Sequence, residues 1–264
     1  MKYEPIDIPL TRTIGYCIFC GGVAATDDHI IPLALGGRHI LRKSSCEPCR
    51  DKFNTSVDQP VLRGVLHSAR LAYGVPRSKK RKPQETFRIM LLPEEGGVAE
   101  VLSLPFANLP KYLMIPIFEG PAILKGEILV EEGIYKIDRT FVHNKDGNFA
   151  VQGREGGSLL WKIDDYVLLM RMLAKAAHSL AYLHFDSGSF IPLMGDLLEG
   201  LQHPSYLCGC LDIFHNRNNT NKYYDVRLGY LGNYLVASLQ IFSNIEMPYI
   251  DFIVGMRRGF AVFR

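Results

Sequence analysis

Two pairs of cysteines constrain the fold of this chain more strongly than any other feature of its sequence. Each pair has the spacing Cys-x-x-Cys, and 25 residues separate the first pair, Cys17 and Cys20, from the second, Cys46 and Cys49. Two thiolates on each of two tight turns can close a tetrahedral shell around zinc, which suits soft sulfur ligands. Because a segment this small has little hydrophobic core, we expect metal binding to supply much of its folding free energy. The sequence therefore predicts a structural Zn²⁺ site at these four thiolates.

The same cysteines bear on the compartment in which the protein works. Paired Cys-x-x-Cys spacings indicate metal binding in an intracellular protein rather than a disulfide framework. The first residues, MKYEPIDIPL, lack the apolar stretch of a signal peptide, and no run of about 20 apolar residues predicts a membrane span. We therefore expect a cytoplasmic protein without a membrane partner. Cys208 and Cys210, spaced C-G-C, are less suited to zinc and are interpreted as buried or free thiols.

Charge is divided unevenly along the chain. The overall composition, with 47% hydrophobic and 22% charged residues, is that of an ordinary globular protein. Residues 1–90 contain fifteen Lys and Arg against eight Asp and Glu, a balance of +7. Residues 91–264 contain fifteen against nineteen, a balance of −4. This asymmetry favours a polyanionic partner for the first part only, although solvated basic faces are common in proteins of any function.

A second motif lies between the cysteine pairs. The run TDDHIIP over residues 26–32 contains Asp28 and His29, and the glycine pair Gly36-Gly37 follows it. With both cysteine pairs in order around it, this segment resembles the HNH endonuclease family over roughly residues 15–60, which is under a quarter of the chain. The resemblance implies a small ββα-metal module of treble-clef-like fold, in which a β-hairpin and a helix grip one divalent cation.

The resemblance also implies roles for two adjacent residues. His29 matches the general base of the family, and a neutral imidazole can take a proton from water near pH 7. Asp28 matches the carboxylate that holds the catalytic cation and would face the other way on an extended backbone. Mg²⁺ or Mn²⁺ fits oxygen ligands and stabilises charge on the scissile phosphate of DNA. A hydrogen-bonded structural histidine is the alternative interpretation of His29.

The sequence departs from the family pattern after the last cysteine. The residue expected there is a second cation ligand, but the position holds Arg50, which cannot ligate a metal. Asn54 lies one helical turn further on and is favoured slightly as the replacement, with Asp51 and the more distant Asp58 as alternatives. Arg50 could instead clamp the scissile phosphate, or it could be a solvated surface arginine.

The asparagine that orients the base in the family is also missing. Its position falls near Leu41, and His39 or Ser45 could substitute for it. These losses leave open a non-catalytic alternative, a zinc-dependent nucleic-acid-binding protein with a decayed HNH site. A third hypothesis is a structural or interaction protein, which predicts no salt-dependent retention on DNA, whereas the other two predict a steep salt dependence.

We expect three parts along the chain. These are an HNH module with structural zinc over residues 1–75, a basic connector over residues 76–88, and a larger mixed α+β domain over residues 89–264. The connector contains the densest charge run, and such a run suits contact with the DNA phosphate backbone, although it is equally typical of an exposed linker. Its candidate DNA-binding residues are Arg77, Lys79, Lys80, Arg81 and Lys82.

The third part shows a long helix within strand-like segments. Short apolar runs between residues 87 and 149 predict strands, and a run of good helix formers after Asp164-Asp165 predicts a central helix that is apolar nearly all round. Three more strands are predicted over residues 226–232, 234–242 and 249–255. The sequence suggests no second active site here. The candidate roles of this domain are therefore recognition of the target, response to a small-molecule or protein regulator, and assembly.

Assembly and biological role follow only by analogy. An HNH module nicks one strand, so cleavage of both strands would require a homodimer. A nuclease module attached to an unassigned domain is typical of microbial defence systems or mobile elements.

Overall fold

The fold combines a small N-terminal ββα region with a larger sheet built around one long helix, so the α+β class predicted from the sequence is confirmed. The computed structural model describes residues 3–72, 75, 86–92, 98, 100–105, 112–115, 118, 120–126, 139–142, 150–151, 154–155, 158–159, 163–211, 223–243 and 247–258. The candidate DNA-binding residues of the connector, 77–82, lie outside this set and stay a prediction.

The N-terminal elements are β1 (Tyr3–Ile6), β2 (Thr11–Thr13), β3 (Thr26–His29), β4 (Ile40–Ser45), α1 (Glu47–Phe53), α2 (Gln59–Arg63) and α3 (His67–Ala72). Strand β4 is central in a small sheet, antiparallel to β3 and parallel to β2. Helix α1 begins directly after Cys46, with Pro48 in its first turn, where the missing N–H of proline costs no hydrogen bond. The hairpin of β3 and β4 followed by α1 is the predicted ββα arrangement.

The helical region after α1 differs from its prediction. Asn54–Asp58 forms a π-helical turn that runs into α2, and π-turns of this kind are frequent at functional sites. The apolar spacing over residues 61–72 predicts one helix, but the structure ends α2 at Arg63, directly before Gly64, and starts α3 at His67. A Cβ at Gly64 would lie 2.7 Å from the carbonyl oxygen of Pro60, so the close approach that breaks the helix needs glycine.

The middle of the chain contributes short strands, as the sequence predicts. The described strands are β5 (Thr86–Leu92), β6 (Glu100–Pro105), β7 (Tyr112–Ile115), β8 (Arg139–Val142), β9 (Ala150–Val151), β10 (Arg154–Glu155) and β11 (Ser158–Leu159). Strands β5 and β6 form an antiparallel pair extended by β11, β7 pairs with β8, and β9 pairs with β10. The predicted strand over residues 126–137 falls largely outside the described residues.

The C-terminal elements pack a sheet against the long helix. They are α4 (Ile163–His184), β12 (Phe190–Pro192), α5 (Gly195–Glu199), β13 (Cys208–Gly209), β14 (Tyr224–Leu231), β15 (Tyr234–Ile241) and β16 (Ile250–Arg257). The sheet order is β1-β14-β15-β16-β12, with β13 also paired to β16. Helix α4 lies on β15 and β16 and is buried from Leu169 to Leu183 apart from Arg171, so the prediction of a central apolar helix is confirmed.

The two regions share one hydrophobic core. Buried side chains of the N-terminal region, such as Ile30 and Phe53, belong to the same cluster as Leu173 of α4 and Phe252 of β16. Strand β1 is also an edge strand of the C-terminal sheet, where it pairs antiparallel with β14. The predicted boundaries at residues 75 and 89 stay a proposal. Among the described residues, no helix is both long enough and apolar enough to span a membrane.

Candidate functional site

The four cysteines of the two Cys-x-x-Cys turns meet at one point. The Sγ atoms of Cys17, Cys20, Cys46 and Cys49 all lie within 4.8 Å of one another. The Sγ atoms of Cys20 and Cys46 are 3.6 Å apart. Zinc–sulfur bonds of about 2.3 Å in a tetrahedron place the sulfur atoms roughly 3.8 Å apart, so the spacing and the donor set fit zinc. The four thiolates are therefore a candidate structural metal site.

The first cysteine turn is shaped by its backbone. The N–H of Cys17 donates to the carbonyl of Gly22, and the N–H of Gly21, which has φ +75°, donates to the carbonyl of Cys17. Burial alone would raise the pKa of Cys17, but hydrogen bonds from the backbone of Cys46, Cys20 and Phe19 lower it to about 7. Backbone N–H groups directed at sulfur favour the thiolate, which is the form that binds metal.

Helix α4 supports this turn from behind. The Nε2 atom of His178 lies 3.1 Å from the carbonyl oxygen of Ile18, and the His178 ring stacks on Phe19 at 5.8 Å between centroids. His178 is buried in the core, and burial lowers its pKa to about 4. The neutral ring therefore donates from Nε2 to the turn that carries Cys17 and Cys20.

Strand β3 contains an irregularity directly before the Asp-His pair. Its register against β4 shifts between Thr26 and Asp28, so Asp27 lies at a β-bulge. The carboxylate of Asp27 accepts a hydrogen bond of 2.9 Å from the N–H of Lys43, whose φ of 48° is unusual for a residue with a side chain. Bulges next to functional sites redirect the side chains that follow them. Here the residues that follow the bulge are Asp28 and His29.

The Asp-His pair occupies the end of β3. Asp28 lies opposite Leu41 and His29 lies opposite Ile40 in the antiparallel pair with β4. Both side chains are partly buried, and successive residues of a strand point to opposite faces of the sheet. Asp28 and His29 therefore lie on opposite faces of the sheet. A carboxylate and an imidazole placed in this way can act on one phosphate if that phosphate lies at the end of the strand.

The glycine pair after β3 is required by close contacts. Gly36 has φ +81°, and a Cβ there would lie 2.9 Å from the ring of Tyr223. A Cβ on Gly37 would lie 1.8 Å from the carbonyl oxygen of Ile31. The N–H of Arg38 donates to the hydroxyl of Tyr224, and Nδ1 of His39 is 3.1 Å from the same hydroxyl. The turn therefore joins the ββα region to the C-terminal sheet.

A buried lysine lies against Asp28. The Nζ atom of Lys175, on α4, is 3.3 Å from Oδ2 of Asp28 and 2.7 Å from Oδ2 of Asp58. Lys175 is 6% exposed and Asp58 is 9% exposed. Burial would lower the pKa of Lys175, but the two carboxylates outweigh it and raise that pKa, so the ammonium stays charged. Burial raises the pKa of Asp58, and Lys175 opposes this shift.

Of the other predicted site positions, Arg50, Asp51 and Asn54 are exposed, whereas Asp58 is buried. The guanidinium of Arg50 pairs with the carboxylate of its neighbour Asp51 at 2.8 Å. The amide oxygen of Asn54 accepts a hydrogen bond of 3.3 Å from Gln59. In the structure, the carboxylates of Asp58 and Asp28 both pair with the ammonium of Lys175. The choice among Asn54, Asp51 and Asp58 as second cation ligand stays a proposal.

The positions considered for the orienting asparagine all have contacts within the fold. Leu41 is fully buried in the core, and the hydroxyl of Ser45 is directed at the carbonyl of Cys46. His39 contacts Tyr224, as described above. Cys208 is buried, and Sγ of Cys210 lies 3.3 Å from the carbonyl oxygen of Tyr249, so neither takes part in the metal site.

Sequence reasoning missed Lys175. The available signal was a charged residue in the run MLAKAAHSLAYL, at a position where an apolar face would be continuous. Lysine is almost never fully buried unless it is paired, so such a position implies a buried acidic partner. The sequence alone does not say which acid that partner is.

Comparison with known proteins supports the assignment of this region. Residues 17–66 match the model of a family described as HNH endonuclease. The match includes both cysteine turns, the Asp28-His29 pair and Asp58, so the resemblance inferred from the sequence is confirmed for this part of the chain. No curated protein and no solved structure matches the chain significantly.

Proposed function

Because residues 17–66 match the HNH endonucleases, we propose that this chain is a metal-dependent endonuclease that hydrolyses phosphodiester bonds in DNA. The observation that carries the proposal is the Asp28-His29 pair at the end of β3, held between two cysteine turns whose four sulfur atoms converge. A structural Zn²⁺ at these sulfur atoms would keep α1 against the hairpin. The site can then present a base and a carboxylate to one phosphate.

His29 is proposed as the general base. It is partly buried on β3, and its backbone is fixed by the pairing with Ile40. A neutral imidazole at this position accepts the proton of the attacking water near neutral pH. Fixed backbone on both strands limits the motion of the ring, which favours attack from one direction.

Asp28 is proposed as the carboxylate that holds Mg²⁺ or Mn²⁺, with Asn54, Asp51 or Asp58 as the second ligand. A hard divalent cation prefers carboxylate and amide oxygens, and when bound it stabilises negative charge on the scissile phosphate and the leaving oxygen. The side chain of Asp28 is 23% exposed, which leaves its carboxylate open to the surface on the side away from Lys175. Arg50 is proposed to contact the phosphate, in exchange for its present pairing with Asp51.

The wider role is proposed from the sequence. The basic residues of the connector would contact the phosphate backbone without selecting a sequence. A cytoplasmic location, a homodimer for cleavage of both strands, a regulator of the C-terminal domain and a function in defence complete the proposal.

A plasmid assay tests the central claim. Supercoiled plasmid is incubated with the zinc-loaded protein and Mg²⁺ or Mn²⁺, and wild type is compared with His29→Ala. Nicking that needs the divalent cation and falls by about 10² to 10⁴ in His29→Ala is expected from loss of a general base. His184→Ala is the matched control, because His184 is an exposed histidine at the far end of α4 and is expected to leave nicking unchanged.

The second candidate function is a zinc-dependent nucleic-acid-binding protein without nuclease activity. Two observations favour it: Arg50 stands where a cation ligand is expected, and the ammonium of Lys175 already pairs with Asp28. This candidate predicts salt-dependent binding of the plasmid without cleavage under any divalent cation. Nicking by wild type that is lost in His29→Ala would reject it.

A further inference from the structure

We propose that Lys175 is a resident cation that limits the affinity of the Asp28 site for divalent ions. This inference rests on the proposed function for the assignment of Asp28 as a cation ligand. It adds a residue from α4, more than 100 positions beyond the segment that matches the HNH family. Lys175 acts on the site through Asp28 and Asp58 and has no contact with substrate in this proposal.

The geometry is that of a cation between two carboxylates. The ammonium lies 2.7 Å from Oδ2 of Asp58 and 3.3 Å from Oδ2 of Asp28, and both acids come from the N-terminal region. The second oxygen of Asp58, Oδ1, is buried and has no hydrogen-bond partner within the described part of the chain. Two carboxylates with unused oxygen capacity are ligands that a divalent ion could also use.

Removal of the ammonium changes the net charge of the group formed by Lys175, Asp28 and Asp58. With Lys175 in place, the two carboxylates and one ammonium carry a net charge of −1. Without the ammonium, the positive charge that repels an incoming divalent cation is absent. Charges a few ångströms apart in a partly buried site interact strongly, because water screens them poorly there. Removal of the ammonium is therefore expected to raise the affinity for a divalent cation at Asp28.

The helix holds the ammonium firmly in this position. Lys175, His178 and Tyr182 lie at spacings of three and four residues, which places them on one face of α4. His178 contacts the carbonyl of Ile18, and the carbonyl of Tyr182 accepts a hydrogen bond of 3.1 Å from Arg12. All three residues contact the N-terminal region, so the docking of α4 places the ammonium of Lys175 beside Asp28 and Asp58. Divalent ions must therefore compete with this charge.

The test is a Mn²⁺ titration followed by electron paramagnetic resonance, in which bound Mn²⁺ disappears from the free-ion signal. It uses the full-length, zinc-loaded protein without DNA, and compares wild type with Lys175→Met. A gain in Mn²⁺ affinity of about tenfold or more is expected in Lys175→Met. The gain is expected to vanish in the double variant Lys175→Met/Asp28→Asn, since it depends on the Asp28 carboxylate.

Arg171→Met is the matched control. It removes another long cation from the same helix, but the guanidinium of Arg171 donates to the carbonyl of Leu198, whereas Asp28 and Asp58 pair with Lys175. Its Mn²⁺ affinity is expected to equal that of wild type. A gain below tenfold in Lys175→Met, or a gain that survives Asp28→Asn, would overturn the proposal.

Lys175→Met leaves the buried carboxylate of Asp58 and the partly buried carboxylate of Asp28 without their ammonium partner, and the variant could fail to fold for that reason. Millimolar Mn²⁺ is then expected to restore its circular-dichroism spectrum and zinc content, because the ion replaces the ammonium. A variant that stays unfolded in Mn²⁺, or one that is rescued equally well when Asp28 is Asn, would contradict the proposal.

The proposed function can fail separately. None of these measurements depends on cleavage of DNA. If wild type never nicks plasmid but Lys175→Met gains Mn²⁺ affinity through Asp28, the nuclease proposal fails and the role of Lys175 stands. If wild type nicks plasmid and Lys175→Met binds Mn²⁺ as wild type does, the nuclease proposal stands and the proposed role of Lys175 fails.

Discussion

His178 of the central helix and Ile18 of the first cysteine turn are joined by a hydrogen bond across 160 residues of sequence, with 3.1 Å between Nε2 and the carbonyl oxygen. The other ring nitrogen, Nδ1, is buried and has no hydrogen-bond partner within the described residues. Protonation of Nδ1 would place a charge where neither water nor an acceptor can stabilise it. The metal turn and the C-terminal core are therefore coupled through one neutral imidazole.

This coupling predicts how stability depends on pH. The pKa of His178 is about 4 in the folded protein, below the ordinary value of 6.5, so the unfolded chain binds one more proton between these values. The contribution of the neutral ring is complete above pH 6.5 and is lost as the pH falls towards 4, by roughly 3 kcal/mol in total. Urea unfolding at a series of pH values measures it.

His178→Gln serves as the reference in that experiment, because the glutamine amide can still donate to Ile18 but does not titrate. Protonation of the cysteines weakens both proteins at low pH, so the difference between the two curves isolates the histidine. Parallel curves for wild type and His178→Gln between pH 4 and 6.5 would show that the ring is not the coupled group.

Loss of the metal is expected to unfold the N-terminal region. Cys49→Ser removes one of the four converging thiols, and binding of a structural zinc contributes on the order of 10 kcal/mol in small zinc modules. We expect zinc content to fall below one ion per chain and the melting temperature to drop sharply, because the core of this region continues into α4. Metal analysis and thermal melting measure both effects. Cys210→Ser, outside the cluster, should keep its zinc; loss of zinc there too would contradict the assignment.

The glycine turn predicts a severe steric substitution. A Cβ on Gly37 would lie 1.8 Å from the carbonyl oxygen of Ile31, a distance that backbone movement must relieve. We expect Gly37→Ala to lower the free energy of unfolding by about 3 kcal/mol or more. Chemical denaturation measures it against Gly195→Ala, where a Cβ meets nothing within 4 Å. Equal stability of the two variants would mean that the turn relaxes without cost.

The bulge in β3 predicts an effect on activity that exceeds its effect on stability. Asp27→Ala removes the acceptor for the N–H of Lys43, which should cost about 1 kcal/mol of stability. Because Asp28 and His29 follow directly, plasmid nicking is expected to fall by more than about tenfold with zinc content unchanged. Asp186→Ala, which removes the exposed partner of Arg12, is the control. Nicking at the wild-type rate in Asp27→Ala would show that the bulge does not position the pair.

Local spacing in the sequence was enough to predict the metal site and the ββα region. The two Cys-x-x-Cys turns, the Asp28-His29 pair and the glycine turn lie within 33 positions, and each is defined by residues a few places apart. The apolar helix and the strands of the C-terminal sheet also follow from short-range patterns. Residue types at short spacing carry this information because turns, strands and helices are themselves local structures.

Only the tertiary structure decided which distant residues meet. Lys175 pairs with Asp58 across 117 positions, His178 reaches Ile18, and β1 joins the far edge of the C-terminal sheet. Periodicity assigns a residue to the buried face of its element but not to a partner, because the packing of whole elements determines which buried groups come into contact. The sequence by itself thus identified the four cysteines that converge and the candidate base, whereas the packing of α4 against the ββα region decided the electrostatic surroundings of Asp28.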